Sequence, residues 1–174
     1  LMKIFGMIGW SGSGKTTLIK LLIPELIKRG FSISSMKHTH HNFDIDKPGK
    51  DSYEHRMAGA NQVLITGKQR WALLSENFND PEPTIDQLLR KMDPVDLVLI
   101  EGFKTCPHPK MEVFRSSVGK TLLAKDDPTI VCIASDGPVA NTKVPIIDLN
   151  NLLKIADFII EYCDLTKSEV NGST

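Results

Sequence analysis

The chain has 174 residues, 41% of them hydrophobic and 24% charged, with a formal net charge of +0. That length and apolar content fit one packed domain with a small excursion, and the charge balance lacks the basic excess of a nucleic-acid binder. No apolar run approaches the roughly 20 residues that cross a bilayer, and no signal peptide fits before the first strand, so a cytoplasmic location is expected.

In chain order, Met2 to Ile8 is short and apolar, as a buried first strand is. The run Gly9-Trp10-Ser11-Gly12-Ser13-Gly14-Lys15-Thr16 follows, the G-x-x-x-x-G-K-(S or T) phosphate loop, or Walker A motif. Thr17 to Arg29 has helical composition, with Leu18, Leu21, Leu22 and Leu26 as the core-facing stripe and Gly30 as its C-terminal cap. Pro24 sits inside that helix. Phe31 to Met36 reads as a second strand, and residues 37–50 as a polar loop. Asp51 or Ser52 caps a helix running to about Ala60. Gln62 to Thr66 and Trp71 to Ser75 read as a hairpin turning at Gly67-Lys68.

Further on, Thr84 to Met92 is helical. Asp96 to Ile100 is a continuous apolar run, typical of a parallel strand buried on both faces. Met111 to Arg115 alternates like an edge strand. Thr129 to Ala134 is another buried strand, Val144 to Asp148 a short one, and Leu149 to Tyr162 a closing helix. Strands alternating with helices behind a phosphate loop predict an α/β fold, a three-layer P-loop NTPase sandwich on a mostly parallel sheet. Cys106, Cys132 and Cys163 are odd in number without C-x-x-C spacing, and read as reduced thiols.

Ligands of such sheets bind at the carboxyl ends of the strands. The backbone from Gly9 through Gly14 to Thr17, at a helix N-terminus, is expected to surround a triphosphate. Lys15 supplies a charge for the β- and γ-phosphates, and the Thr16 hydroxyl a ligand for Mg²⁺. Glu101, at the end of an apolar strand, is expected to hold the metal or orient the attacking water, and Gly102 to admit the γ-phosphate closely. The loop from His38 to Asp51 is the densest cluster of functional side chains. Zinc at His38, His40 and His41 would need orienting partners and a fourth ligand, and no cysteine is near. A γ-phosphate or second anionic ligand is expected instead, with His38, His40, Lys37, Lys47 and Lys50 as donors. Asp44, Asp46 or Asp51 would reach Mg²⁺ or its waters, and Asp51 is placed with Lys15 and Glu101 in the catalytic set. Ser135-Asp136 follows a buried strand; Asp136 either accepts from the N1–H and 2-amino group of guanine or opens the turn Asp136-Gly137-Pro138.

Several segments together carry a resemblance: Lys37-His38-Thr39-His40-His41, Asp44 through Tyr53, Ala58-Gly59-Ala60, Gln69 through Leu73, Glu101-Gly102-Phe103-Lys104 and Ala134-Ser135-Asp136. Over nearly its whole length the chain resembles the MobB family, the molybdopterin-guanine dinucleotide biosynthesis adapter proteins. The resemblance implies a GTP-binding protein with Mg²⁺, weak GTPase activity, and a homodimer that assists the molybdopterin guanylyltransferase. It also implies a β-rich excursion joining subunits, for which residues 62–75 and 105–125 are the candidates, and a pterin or its guanine dinucleotide as a further ligand. The N-K-x-D guanine motif is absent, and Trp10 stands where an ATP-dimerising branch of P-loop proteins carries Lys. A small-molecule or nucleotide kinase is the rival reading. It requires an acceptor site and an Arg-bearing lid, whereas the only arginines are Arg29, Arg56, Arg70, Arg90 and Arg115.

Overall fold

The computed structural model describes residues 2–39 and 43–166. Its strands are β1 Lys3–Ile8, β2 Ile33–Lys37, β3 Gln62–Thr66, β4 Trp71–Ser75, β5 Leu97–Glu101, β6 Lys110–Phe114, β7 Ile130–Ser135 and β8 Ile146–Asp148. Its helices are α1 Lys15–Lys28, α2 Asp51–Met57, α3 Ile85–Leu89 and α4 Leu152–Tyr162. Contacts divide the chain into two compact units. One holds residues up to 38 and those from 94 onward; the other holds residues 39–93.

The first unit is built on one sheet with strand order β2-β5-β1-β6-β7-β8, and every pairing in it is parallel. The apolar runs explain this. Leu97 to Glu101 is buried at every position, which only a strand covered on both faces allows. Phe5, Met7, Leu97, Leu99, Met111, Val113, Cys132 and Ala134 alternate along four neighbouring strands and form one core with α1 and α4. Helix α1 buries Leu18, Ile19, Leu22 and Leu26 there, and α4 buries Ile155, Ala156 and Ile159. The expected stripe on α1 is thus rotated: Leu21 is half exposed, and Ile19 takes its place. All three cysteines are free thiols; burial pushes Cys163 up to about 11.

The strand expected at an edge is the main correction. Lys110–Phe114 lies inside the sheet, between β1 and β7. Its charged residues are buried with partners. Glu112 accepts from the backbone N–H groups of Leu123 and Ala124, both at 2.9 Å. Lys110 donates to the Cys106 carbonyl and to Thr129, with the Asp127 carboxylate 3.5 Å away.

In the second unit β3 and β4 form a two-stranded antiparallel sheet, with Leu64 opposite Leu73 and Thr66 opposite Trp71. Helix α2 starts at Asp51 with Lys50 as its N-cap, and neither Asp51 nor Ser52 caps it. Helix α3 is closed by a reciprocal cap between Thr84 and Gln87.

Candidate functional site

The loop after β1 is shaped by its glycines. A Cβ on Gly9 would stand 2.5 Å from the Val113 carbonyl oxygen and 2.7 Å from Ser13 Oγ, so only glycine fits there. Gly14, at φ 98° and ψ 16°, is the left-handed residue that turns the chain into α1. The Lys15 side chain curls back over the loop, its Nζ donating to the carbonyls of Gly9 and Trp10, each at 3.0 Å. Burial holds the Lys15 pKa below its ordinary value, helped by Lys104 and Lys37 and opposed by Glu101. Ser13 is buried, and its hydroxyl has no hydrogen-bond partner among the described residues. The result is a ring of backbone at a helix N-terminus with an ammonium folded across it, a shape suited to a phosphate.

Strand β5 lies beside β1, with Met7 opposite Glu101. That register brings Glu101 to the loop. The Thr16 hydroxyl donates to both oxygens of its carboxylate, at 3.0 and 3.1 Å, and Lys37 Nζ lies 3.5 Å from Oε1. A hydroxyl and a carboxylate are hard oxygen donors, the set Mg²⁺ accepts when phosphate and water oxygens complete its shell. Among the described residues no three His, Cys, Asp or Glu side chains converge on one point; His40 and His41 lie outside those residues. Gly102 has φ +95°, and a Cβ there would meet His38 at 3.0 Å. That left-handed backbone and the closeness of His38 both call for glycine at 102. The His38 ring stacks on Phe103, with centroids 4.4 Å apart.

Three further groups stand at the carboxyl ends of these strands. Trp10 donates from its indole nitrogen to the Thr121 carbonyl at 2.8 Å, and the ammoniums of Lys104 and Lys120 lie 5.2 and 5.7 Å from its ring centre. Ser135 is occupied by its own turn, bonded to the carbonyl and N–H of Gly137. Asp136 is paired with Arg115, whose Nη1 donates to Oδ2 at 3.0 Å.

The first unit thus assembles Gly9 to Thr17, Lys37, Glu101, Ser135 and Asp136 on one sheet edge. Lys50 and Asp51 belong to the second unit. Asp44 and Asp46, two of the three acids expected to reach Mg²⁺ or its waters, pair with Arg56 at 2.6 and 2.9 Å, and Glu76 lies 3.4 Å from the same guanidinium. A cavity of about 150 Å³ in that unit includes Phe43, Ile45, Arg56 and Leu73 in its lining, and its one cation is already matched by these carboxylates. Sequence reasoning missed Arg115. It read β6 as an edge strand, so the residue after it was not looked for beside the loop.

The family model described as molybdopterin guanine dinucleotide synthesis protein B matches residues 4–136. A molybdopterin-guanine dinucleotide biosynthesis adapter protein of Escherichia coli is 42% identical over 167 residues, 93% of this chain and 94% of that one. The adapter protein of Haemophilus influenzae is 42% identical over 159 residues, covering 90% of this chain and 86% of its own. Among solved structures, MobB of Bacillus subtilis superposes with a TM-score of 0.71 at 22% identity, covering 96% of this chain and all of that one. A crystal structure of molybdopterin-guanine biosynthesis protein B superposes with a TM-score of 0.70 at 24% identity, covering 92% of this chain and 99% of that one.

Proposed function

The chain belongs to the molybdopterin guanine dinucleotide synthesis protein B family, and from that premise we propose that it binds GTP as an adapter in molybdenum cofactor biosynthesis. In that role it assists the guanylyltransferase that attaches GMP to molybdopterin, and it hydrolyses GTP weakly. One observation carries the nucleotide reading. The loop from Gly9 to Thr16, with Lys15 folded across it, stands beside a Thr16–Glu101 oxygen pair at 3.0 and 3.1 Å. Backbone N–H groups and Lys15 would hold the phosphates. Thr16 and Glu101 would hold Mg²⁺, which when bound neutralises charge on the phosphates. Asp136 would read guanine, because a carboxylate accepts from the N1–H and the 2-amino group together and adenine cannot offer that pair. Besides Lys15, the ammonium of Lys37 lies beside Glu101, and those of Lys104 and Lys120 lie beside the Trp10 ring. That supports an anionic ligand more than an acceptor-activating kinase site.

Lys15→Ala tests the reading. Calorimetric titration with Mg²⁺ and each nucleotide should show GTP preferred over ATP by the wild-type protein. The variant should lose at least about 100-fold in affinity for both, as removal of a buried charge contact to phosphate does. Wild-type affinity in Lys15→Ala would remove the loop from the binding site. ATP preferred over GTP would favour the kinase reading.

A further inference from the structure

We infer that Arg115 is a positioning residue for nucleotide specificity: its guanidinium holds the Asp136 carboxylate in register with the phosphate loop. The inference rests on the reading of Asp136 as the group that meets guanine. It starts from topology. Strand β6 lies between β1, which leads into the phosphate loop, and β7, which ends at Ser135 one residue before Asp136. Ile8 is opposite Glu112 on one side, and Phe114 is opposite Ser135 on the other. Arg115 is the next residue, so its side chain leaves the sheet between the two halves of the site.

The hydrogen bonds use that position. Nε donates to the Ser13 carbonyl in the phosphate loop at 3.1 Å, and Nη1 donates to Asp136 Oδ2 at 3.0 Å. The same guanidinium lies along the loop's last glycine, since a Cβ on Gly14 would stand 3.5 Å from Nε and 3.6 Å from Nη2. A planar fork meets the two partners from two separate nitrogens in directions fixed by its plane, a geometry that one ammonium nitrogen does not reproduce. The Arg115 and Asp136 side chains are 36% and 23% exposed. At that exposure the pair adds little to stability, which leaves geometry as its main effect.

The chemistry that follows is specific to the base. An ionised carboxylate only accepts hydrogen bonds, and it has lone pairs for about four donors. Arg115 takes one, so the others remain for the N1–H and 2-amino group of guanine. Without Arg115 the carboxylate loses its anchor and swings with its side chain. Adenine binding makes no use of that carboxylate and should not notice the change. Arg115 therefore acts on the ratio between the two bases rather than on triphosphate binding as such.

Titration of the Mg²⁺ complexes of GTP, ITP and ATP decides the matter in five proteins: wild type, Arg115→Gln, Arg115→Lys, Asp136→Asn and the Arg115→Gln/Asp136→Asn double variant. In Arg115→Gln the preference for GTP over ATP should fall about tenfold, a coupling of ordinary size for neighbouring groups. The preference for GTP over ITP, which differ in the 2-amino group, should fall with it. Arg115→Lys keeps the charge and not the fork, so it should leave ATP affinity near wild type and the preference for GTP as low as in Arg115→Gln. Because Arg115 acts through Asp136, adding Arg115→Gln to Asp136→Asn should leave the ratio where Asp136→Asn put it. Thermal midpoints read beside the titrations register any loss of folding. Equal losses for GTP and ATP in Arg115→Gln would overturn the inference and make Arg115 a brace for the loop alone. A further drop in the double variant would overturn it too. A wild-type protein with no preference for guanine would overturn the reading of Asp136 itself, a result distinct from the other two.

Discussion

Glu101 joins two duties that a single substitution separates. Its carboxylate accepts from the Thr16 hydroxyl on both oxygens, and its negative charge lies 3.5 Å from Lys37 Nζ. Glu101→Gln keeps an acceptor for Thr16 and removes the charge. If Glu101 serves the reaction, GTP affinity should stay within about threefold while hydrolysis falls about 100-fold, because electrostatic help counts most where charge develops. Isothermal titration and single-turnover phosphate release would show the split. Equal losses in both would leave Glu101 as a structural anchor of Thr16. His108 makes a different residue-level prediction. It is buried against Gly6, and neither ring nitrogen has a hydrogen-bond partner among the described residues. Burial, with Lys110 adding to it and Asp127 opposing, pushes its pKa down to about 4 from 6.5. The unfolded chain then binds the proton more readily than the folded one between those values. Stability contributed by neutral His108 is complete above pH 6.5 and lost as pH falls toward 4. Between pH 7 and 5 the loss is about 2 kcal/mol, or about 5 °C in Tm. Glu112, raised by burial, works in the opposite sense over the acid range. The Tm difference between pH 7 and pH 5 should therefore shrink in His108→Gln. An unchanged difference would assign the acid sensitivity to other groups.

At the scale of elements, the legible parts were those whose pattern matches their environment. Leu97 to Glu101 was readable because burial on both faces leaves a continuous apolar run. The hairpin was readable because its two runs flank Gly67-Lys68, and its strands end at the expected residues. Strand β6 misled because Lys110-Met111-Glu112-Val113-Phe114 alternates charge with apolar side chains, as a half-solvated strand does. What the pattern could not reveal is that both charges are buried and bonded, Glu112 to two backbone N–H groups and Lys110 to groups on three other residues. A buried charge with partners looks like a solvated one when only residue type is visible. The same blindness hid Arg115, which depends on where β6 sits in the sheet. The phosphate loop, by contrast, needed no tertiary knowledge, because glycine spacing between strand and helix specifies its geometry locally. The loop after β2 was legible only as chemistry. Its acids Asp44 and Asp46 are matched by Arg56, a residue ten or more positions further along.

The family resemblance implies that the whole molecule works as a pair, and the second unit has an apolar surface suited to that role. One face of the β3–β4 hairpin presents Leu64, Leu73 and Trp71, which are 60%, 40% and 61% exposed. Leu64 and Leu73 are directly opposed, and Trp71 is next along on β4. Alternation in such a ribbon normally turns apolar residues inward and leaves polar ones on the open face. Here Leu74 and Val63, on the reverse face, are the better covered residues, and the open face is apolar as well. A contiguous apolar patch of that kind signals a partner. We propose that a second copy covers it, which agrees with the homodimer that the family resemblance implies. Leu64→Glu and Trp71→Glu each place a charge in the patch and should convert the dimer to monomer in sedimentation equilibrium at micromolar concentration. Circular dichroism should be unchanged, because both residues stand in solvent within their own unit. The phosphate loop belongs to the other unit, so both variants should titrate with GTP at wild-type affinity. A variant that keeps the dimer mass would move the interface elsewhere. A wild-type protein that is monomeric at those concentrations would leave the patch to the guanylyltransferase, and the same two substitutions should then abolish co-sedimentation with that enzyme.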